Sequence, residues 1–75
     1  MRGWLIEKRK SRGLTQAEMA VLLKIPETTY QAYERGTRTP RISRAKILAK
    51  RLGVSWLLFV DESEFQELSL GMTHY

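Results

Sequence analysis

One proline and three glycines cut this sequence into short helical lengths and leave room for little else. Apolar residues recur at helical spacing along most of the chain, and no Asn-Gly or similar two-residue hairpin signal interrupts them. Gly13, Pro26, Gly36 and Gly53 fall between the periodic stretches. A glycine can take the left-handed backbone that ends a helix, and a proline is suited to the position where one begins. The expectation is an all-α, five-helix fold within residues 1–60, followed by a tail over residues 61–75.

The first helix is expected over Arg2 to Ser11, ending near Gly13. Thr15-Gln16-Ala17-Glu18 reads as a capping box, in which the Thr15 hydroxyl accepts from the third helical N–H and Glu18 reaches back to the Thr15 N–H. It opens a second helix with Met19, Ala20, Leu22 and Leu23 as its apolar face. Lys24-Ile25-Pro26 breaks the pattern, because Pro26 disfavours a helical Ile25. A third helix then starts at or just after Pro26, with Tyr30 and Tyr33 on its inner edge and Gly36 as its stop. Beyond a loop at residues 36–40, a fourth helix shows Ile42, Ala45, Leu48, Ala49 and Leu52 on one face. Ser55 can cap a short fifth helix holding Trp56, Leu57, Leu58 and Phe59. In the tail, Phe65 and Leu68 stand at helical spacing, while Leu68, Leu70 and Met72 alternate as in a strand. Helix, strand and disorder all fit it.

Charge narrows the function. Residues 1–60 carry all 13 Lys and Arg against four acids, a net +9, and residues 61–75 carry four acids and no base. Seven bases and no acid lie between Arg35 and Val60. Such a block suits a phosphate-rich partner, with a solvated basic face as the plainer alternative. Enzyme chemistry finds no frame here. His74 is the only histidine and there is no cysteine, so neither a triad nor a thiolate metal site can form, and no cofactor is expected. No apolar run exceeds five residues, the length of Trp56 to Val60, far short of the ~18 of a membrane span. Residues Arg41 to Leu52 look like a basic amphipathic membrane binder, but the core needs their apolar face. A cytoplasmic protein without a membrane role is the expectation.

The joint between the second and third helices is the most informative stretch. A helix-turn-helix needs a small residue where two helices touch, a tight turn, and apolar anchors inside the second helix. Ala20, Lys24 to Pro26, and Tyr30 with Tyr33 supply these in order. The longer run GLTQAEMAVLLKIPETTYQAYERGTRTP, followed by ISRAKILAKRLGVSWLLF, resembles the lambda-repressor-like, Cro/repressor-type helix-turn-helix family of bacterial and phage regulators. The resemblance covers about Leu5 to Phe59 and rests on Arg9, Gly13-Leu14-Thr15-Gln16, Ala20, Glu34-x-Gly36, Pro40, and Leu48-Ala49 before Leu52-Gly53-Val54. The closing GVSWLLF resembles versions from phages and mobile elements. Three positions depart from the family. Lys24 replaces a glycine at a left-handed position, Pro26 replaces a Ser or Thr cap, and Tyr30 and Tyr33 replace aliphatic anchors.

The resemblance implies a sequence-specific, double-stranded-DNA-binding transcriptional regulator, a repressor of prophage or mobile-element type. The alternative is an antitoxin or adaptor whose tail holds a partner protein. If Pro26 caps the third helix, Glu27, Thr28, Gln31 and Ala32 point away from the tyrosines, and the family aims that face into the major groove to read bases. Its phosphate contacts imply backbone roles for Gln16, for Arg35, Arg38, Arg41 and Arg44 on the exit side, and for Lys10 and Arg12 toward the other strand. Arg9 and Glu34 match a family ion pair that joins the first helix to the third. Residues 1–60 are then the DNA-binding domain, and the acidic tail is a dimer contact or disordered. So short a chain cannot easily bury Trp56, Leu58, Phe59, Phe65 and Leu68 with a four-helix core, so a homodimer on a pseudo-palindromic operator is expected.

Overall fold

Three of the four α-helices stop at a left-handed cap, Lys24 (φ 58°), Gly36 (φ 81°) and Gly53 (φ 70°), and the first ends at a right-handed Arg12 with the left-handed Gly13 (φ 66°) just after it. The computed structural model describes residues 1–60. Four α-helices occupy them: α1 Gly3–Ser11, α2 Gln16–Leu23, α3 Glu27–Arg35 and α4 Ile42–Leu52. The capping box at the start of α2 is complete, with Glu18 N–H donating to Thr15 Oγ1 at 3.1 Å and Thr15 N–H donating to Glu18 Oε1 at 2.9 Å. Pro26 is the N-cap of α3 and supplies no side-chain bond there.

Two expectations about the elements need correcting. The fifth helix is a four-residue 3-10 turn, Trp56–Phe59, with Ser55 as its cap. Its bonds run from Leu58 N–H to Ser55 O at 3.2 Å and from Val60 N–H to Leu57 O at 3.1 Å. The physical reason is spacing, since a 3-10 turn eclipses residues i and i+3. That places Trp56 and Phe59 together on the inner side and leaves Leu57 and Leu58 outside. The second correction is Leu22, expected in the core and found 39% exposed. At 3.6 residues per turn it lies about 110° from the centre of the stripe made by Met19, Ala20 and Leu23.

The core gathers Leu5 of α1, Met19, Ala20 and Leu23 of α2, Tyr30 and Tyr33 of α3, and Ala45, Leu48, Ala49 and Leu52 of α4. Ile25 from the turn and Phe59 complete it. α2 packs on α3 and α4, α1 packs on α3, and the 3-10 turn packs on α4. Ala20 is 3% exposed, and its carbonyl accepts the Ile25 N–H at 3.0 Å, closing the turn that sets α3 against α2. A larger residue at position 20 would push the two helices apart.

Lys24 is the one strained residue of that turn. Its φ of 58° and ψ of 44° put a residue with a Cβ in the left-handed region, at a cost of about 1–2 kcal/mol. Lys24→Gly removes the strain, and the extra freedom of glycine in the unfolded chain offsets part of the gain. We expect a net gain of about 0.5–1 kcal/mol and a Tm higher by a few degrees. An unchanged or lower Tm in a thermal melt would mean that the Lys24 side chain makes a compensating contact.

Candidate nucleic-acid interface

α3 grades from a buried edge to an exposed one. Tyr30, Tyr33 and Glu34 are buried, Glu27 and Thr28 are exposed, and Gln31 and Ala32 are half-buried. The outward polar side chains are tied to one another. Gln31 Nε2 donates to Glu27 Oε2 at 3.0 Å, and Arg35 Nη2 donates to Gln31 Oε1 at 3.5 Å. Gln31 therefore presents its amide with the nitrogen toward the start of the helix and the oxygen toward the end.

The inner side of α3 is fixed by Glu34. Arg9 Nε donates to Glu34 Oε2 at 2.7 Å, Gln16 Nε2 donates to Oε1 at 3.0 Å, and the Tyr30 hydroxyl donates to Oε2. Arg9 also donates from Nη1 to Leu14 O at 3.1 Å. The side chains of Arg9 and Glu34 are 15% and 4% exposed, so the pair belongs with buried rather than surface ion pairs. Burial alone would raise the Glu34 carboxyl, but the hydrogen bonds from Arg9, Tyr30 and Gln16 outweigh it and hold it below the usual carboxylate range. The bond to Glu34 raises the Arg9 guanidinium in turn, and burial together with that carboxylate pushes the Tyr30 hydroxyl up. One carboxylate thus joins α1, α2 and α3.

On the exit side of α3, Arg35, Arg38, Arg41 and Arg44 are all exposed. Arg38, Arg41 and Arg44 line a polar recess shared with Thr29, Thr39 and Ser43. Three cations and three hydroxyl-bearing side chains line it, a donor set suited to phosphate oxygens. Arg41 is also the N-cap of α4 and makes no side-chain cap bond. Thr29, Thr39 and Ser43 escaped the sequence reading because isolated hydroxyls carry no periodicity.

Other expected backbone contacts are placed differently. Gln16 is half-buried and spends one amide hydrogen on Glu34, which leaves the second for an outside acceptor. Arg12 donates from Nη2 to Leu52 O at 3.2 Å and so caps the end of α4. Lys10 is exposed. Arg51, which no motif marked, donates to Leu23 O at 2.8 Å and caps the end of α2.

The residues expected at a dimer contact separate into three groups. Phe59 is 1% exposed and stacks edge-on against Trp4, with centroids 4.9 Å apart, so its ring belongs to the core rather than to a surface. Trp56 is half-buried with Lys46 Nζ 5.2 Å from its ring centroid, and Leu58 is 47% exposed. Phe65 and Leu68 lie outside the described residues. Leu58 also lines a shallow groove with Trp4, Glu7, Lys8, Ser11 and Val54. Leu57, 44% exposed beside it, was missed as a surface residue because a four-residue apolar run shows no face.

Comparison with known proteins agrees with this geometry. The family model described as Helix-turn-helix matches residues 5–59. The chain is 36% identical over 62 residues to the uncharacterized HTH-type transcriptional regulator YqaF of Bacillus subtilis, covering 83% of this chain and 82% of that protein. It is 39% identical over 56 residues to the cryptic phage CTXphi transcriptional repressor RstR of Vibrio cholerae, covering 75% of this chain and 50% of that protein. It thus matches only half the length of the Vibrio repressor. No solved structure matches significantly.

Proposed function

We propose how this chain, which belongs to the helix-turn-helix family and is a DNA-binding transcriptional regulator, engages its operator: the outer face of α3 reads bases while the arginine recess holds the phosphate backbone. The observation that carries the reading is the convergence of Arg38, Arg41 and Arg44 on one recess at the exit end of α3. Phosphate contacts supply affinity and base contacts supply discrimination, so the reading helix itself need not be basic. Glu27 can accept from a cytosine N4–H, Gln31 can pair with adenine, and Thr28 and Ala32 can touch a thymine methyl. Arg35, Lys10 and the second amide hydrogen of Gln16 serve the backbone beside them. The likeness to a named phage repressor supports repression, in the cytoplasm of a bacterium, as the outcome of binding.

Selection of bound duplexes from a random pool tests this reading, and a recurrent motif is the expected result. Arg38→Ala and Arg41→Ala should then weaken binding to every duplex alike and flatten the dependence of log affinity on log salt by about 1 unit each. A pool that enriches no motif would overturn sequence-specific reading and favour an adaptor that works through its tail.

The protein acts as a homodimer in this reading, because two copies on a pseudo-palindrome multiply the discrimination of one small domain. Leu57, Leu58 and the groove beside Trp4 support a contact on this side. Leu58→Glu should weaken self-association and operator binding together. Sedimentation that finds the native chain monomeric at high concentration, with full operator affinity, would refute the dimer.

A further inference from the structure

We propose that Arg2 is a positioning residue for DNA binding: its guanidinium holds the segment between α3 and α4 in the shape that presents Arg38 and Arg41 to a phosphate. The inference rests on the recess being the backbone contact. Arg2 stands just before α1, yet its side chain reaches across to the far end of α3. Arg2 Nη1 donates to Tyr33 O at 2.6 Å and to Arg38 O at 2.8 Å, and Nη2 donates to Thr39 Oγ1 at 2.7 Å. Its own backbone N–H donates to Glu34 O at 2.8 Å, so stem and fork are both fixed.

Those acceptors straddle the bend of the chain. Tyr33 O belongs to the last turn of α3, where it also accepts the Gly36 N–H at 3.3 Å. Arg38 and Thr39 lie past the left-handed Gly36, in the connection that leads to α4, and both line the arginine recess. The same connection is tied from its other side by Thr37 N–H and Arg38 N–H, which donate to Ala32 O at 3.1 and 3.4 Å. Arg2 adds the bonds that set where Arg38 and Thr39 sit relative to α3. A planar fork can serve three acceptors in fixed directions, which the single ammonium of a lysine cannot reproduce. Groups that bind must be held close to their working positions by neighbours that are themselves fixed. Arg2 meets that description for the recess without standing among its lining residues.

The test uses the full chain and a selected operator duplex, with affinity measured over a range of salt concentrations well below each variant's melting point. Arg2→Gln should lower operator affinity about tenfold and flatten the salt slope by about 1 unit, as if one phosphate contact had been lost. The ranking of single-base operator variants should stay as it is, because α3 itself does not move. Arg38→Ala should flatten the slope by about 1 unit in the native protein and by much less when Arg2 is already Gln. Arg2→Lys keeps the charge and loses the fork, so it should behave as Arg2→Gln does. An Arg38→Ala effect of equal size in both backgrounds, or an Arg2→Lys protein that binds as the native one does, overturns the positioning role and leaves the phosphate reading intact. No effect of Arg38→Ala in a native protein that still binds its operator overturns the recess reading itself, and the role of Arg2 with it.

Discussion

Glu34→Ala will unfold most of the domain at room temperature and abolish DNA binding with it. Removing one partner of a buried ion pair costs about 3–5 kcal/mol, because the other charge is left in place without a counterpart. A domain of this size holds about 3–9 kcal/mol in total at 0.05–0.15 kcal/mol per residue. The loss at Glu34 is larger than that of a single pair, since Arg9, Gln16 and the Tyr30 hydroxyl all donate to it. Tyr30 is fully buried, so its hydroxyl would be left without an acceptor. Arg9→Ala should be milder, because Gln16 and Tyr30 would still satisfy the carboxylate. Melting curves of the two variants test the order. A Glu34→Ala protein that melts as the native one does would show that the carboxylate contributes nothing.

The same group predicts how the fold responds to acid. The folded-state carboxyl of Glu34 lies below its ordinary value of 4.5. The unfolded chain therefore binds the proton first as pH falls, and stability drops. The contribution of Glu34 is complete above about pH 5 and is lost as pH falls through the folded-state value. Glu18 acts with the same sign, since the Thr15 N–H and hydroxyl hold its carboxyl low.

Helix ends were legible in the sequence because local chemistry sets them. Thr15 with Glu18, Pro26, Gly36 and Gly53 act within a few residues of themselves, and the helices begin and end beside them. Lys24 was readable as left-handed only through the family resemblance, since nothing about a lysine asks for that backbone. The 3-10 turn was not legible, because a run of four apolar residues fits an α-helical and a three-residue repeat equally well. Leu22 was misplaced because a one-residue step rotates a helical position by about 100°, while its chemistry matches that of Leu23.

The least legible part was the set of arginines that act on the backbone. Arg2, Arg12 and Arg51 end on carbonyls of Tyr33, Leu52 and Leu23, which lie 28 to 40 residues away in the chain. Every residue offers a carbonyl, so sequence leaves no mark of which one an arginine will meet. In a basic chain these residues look like any other phosphate contact. Structure separates Arg2, Arg12 and Arg51, which end on those carbonyls, from Arg38, Arg41 and Arg44, which line the recess that the proposed interface uses.

Glu27→Gln should change which sequences the protein prefers while making it bind DNA more tightly in general. Glu27 stands exposed in the first turn of α3. One carboxylate oxygen accepts from Gln31 at 3.0 Å, which leaves the other to face outward. A carboxylate near phosphates is repelled by every duplex, and a cytosine amino group in the right place compensates that repulsion. Glutamine has the same length and no charge, and it can pair with adenine instead. Random DNA should therefore bind better, while the preference at one base pair falls by about 1–3 kcal/mol. Arg38→Ala is the opposite case, since it should weaken all sequences equally and leave their ranking alone. Binding to the selected operator, its single-base variants and random DNA separates the two. If Glu27→Gln leaves the ranking untouched, Glu27 is only an acid that suits the start of a helix, and Thr28 and Gln31 carry the reading.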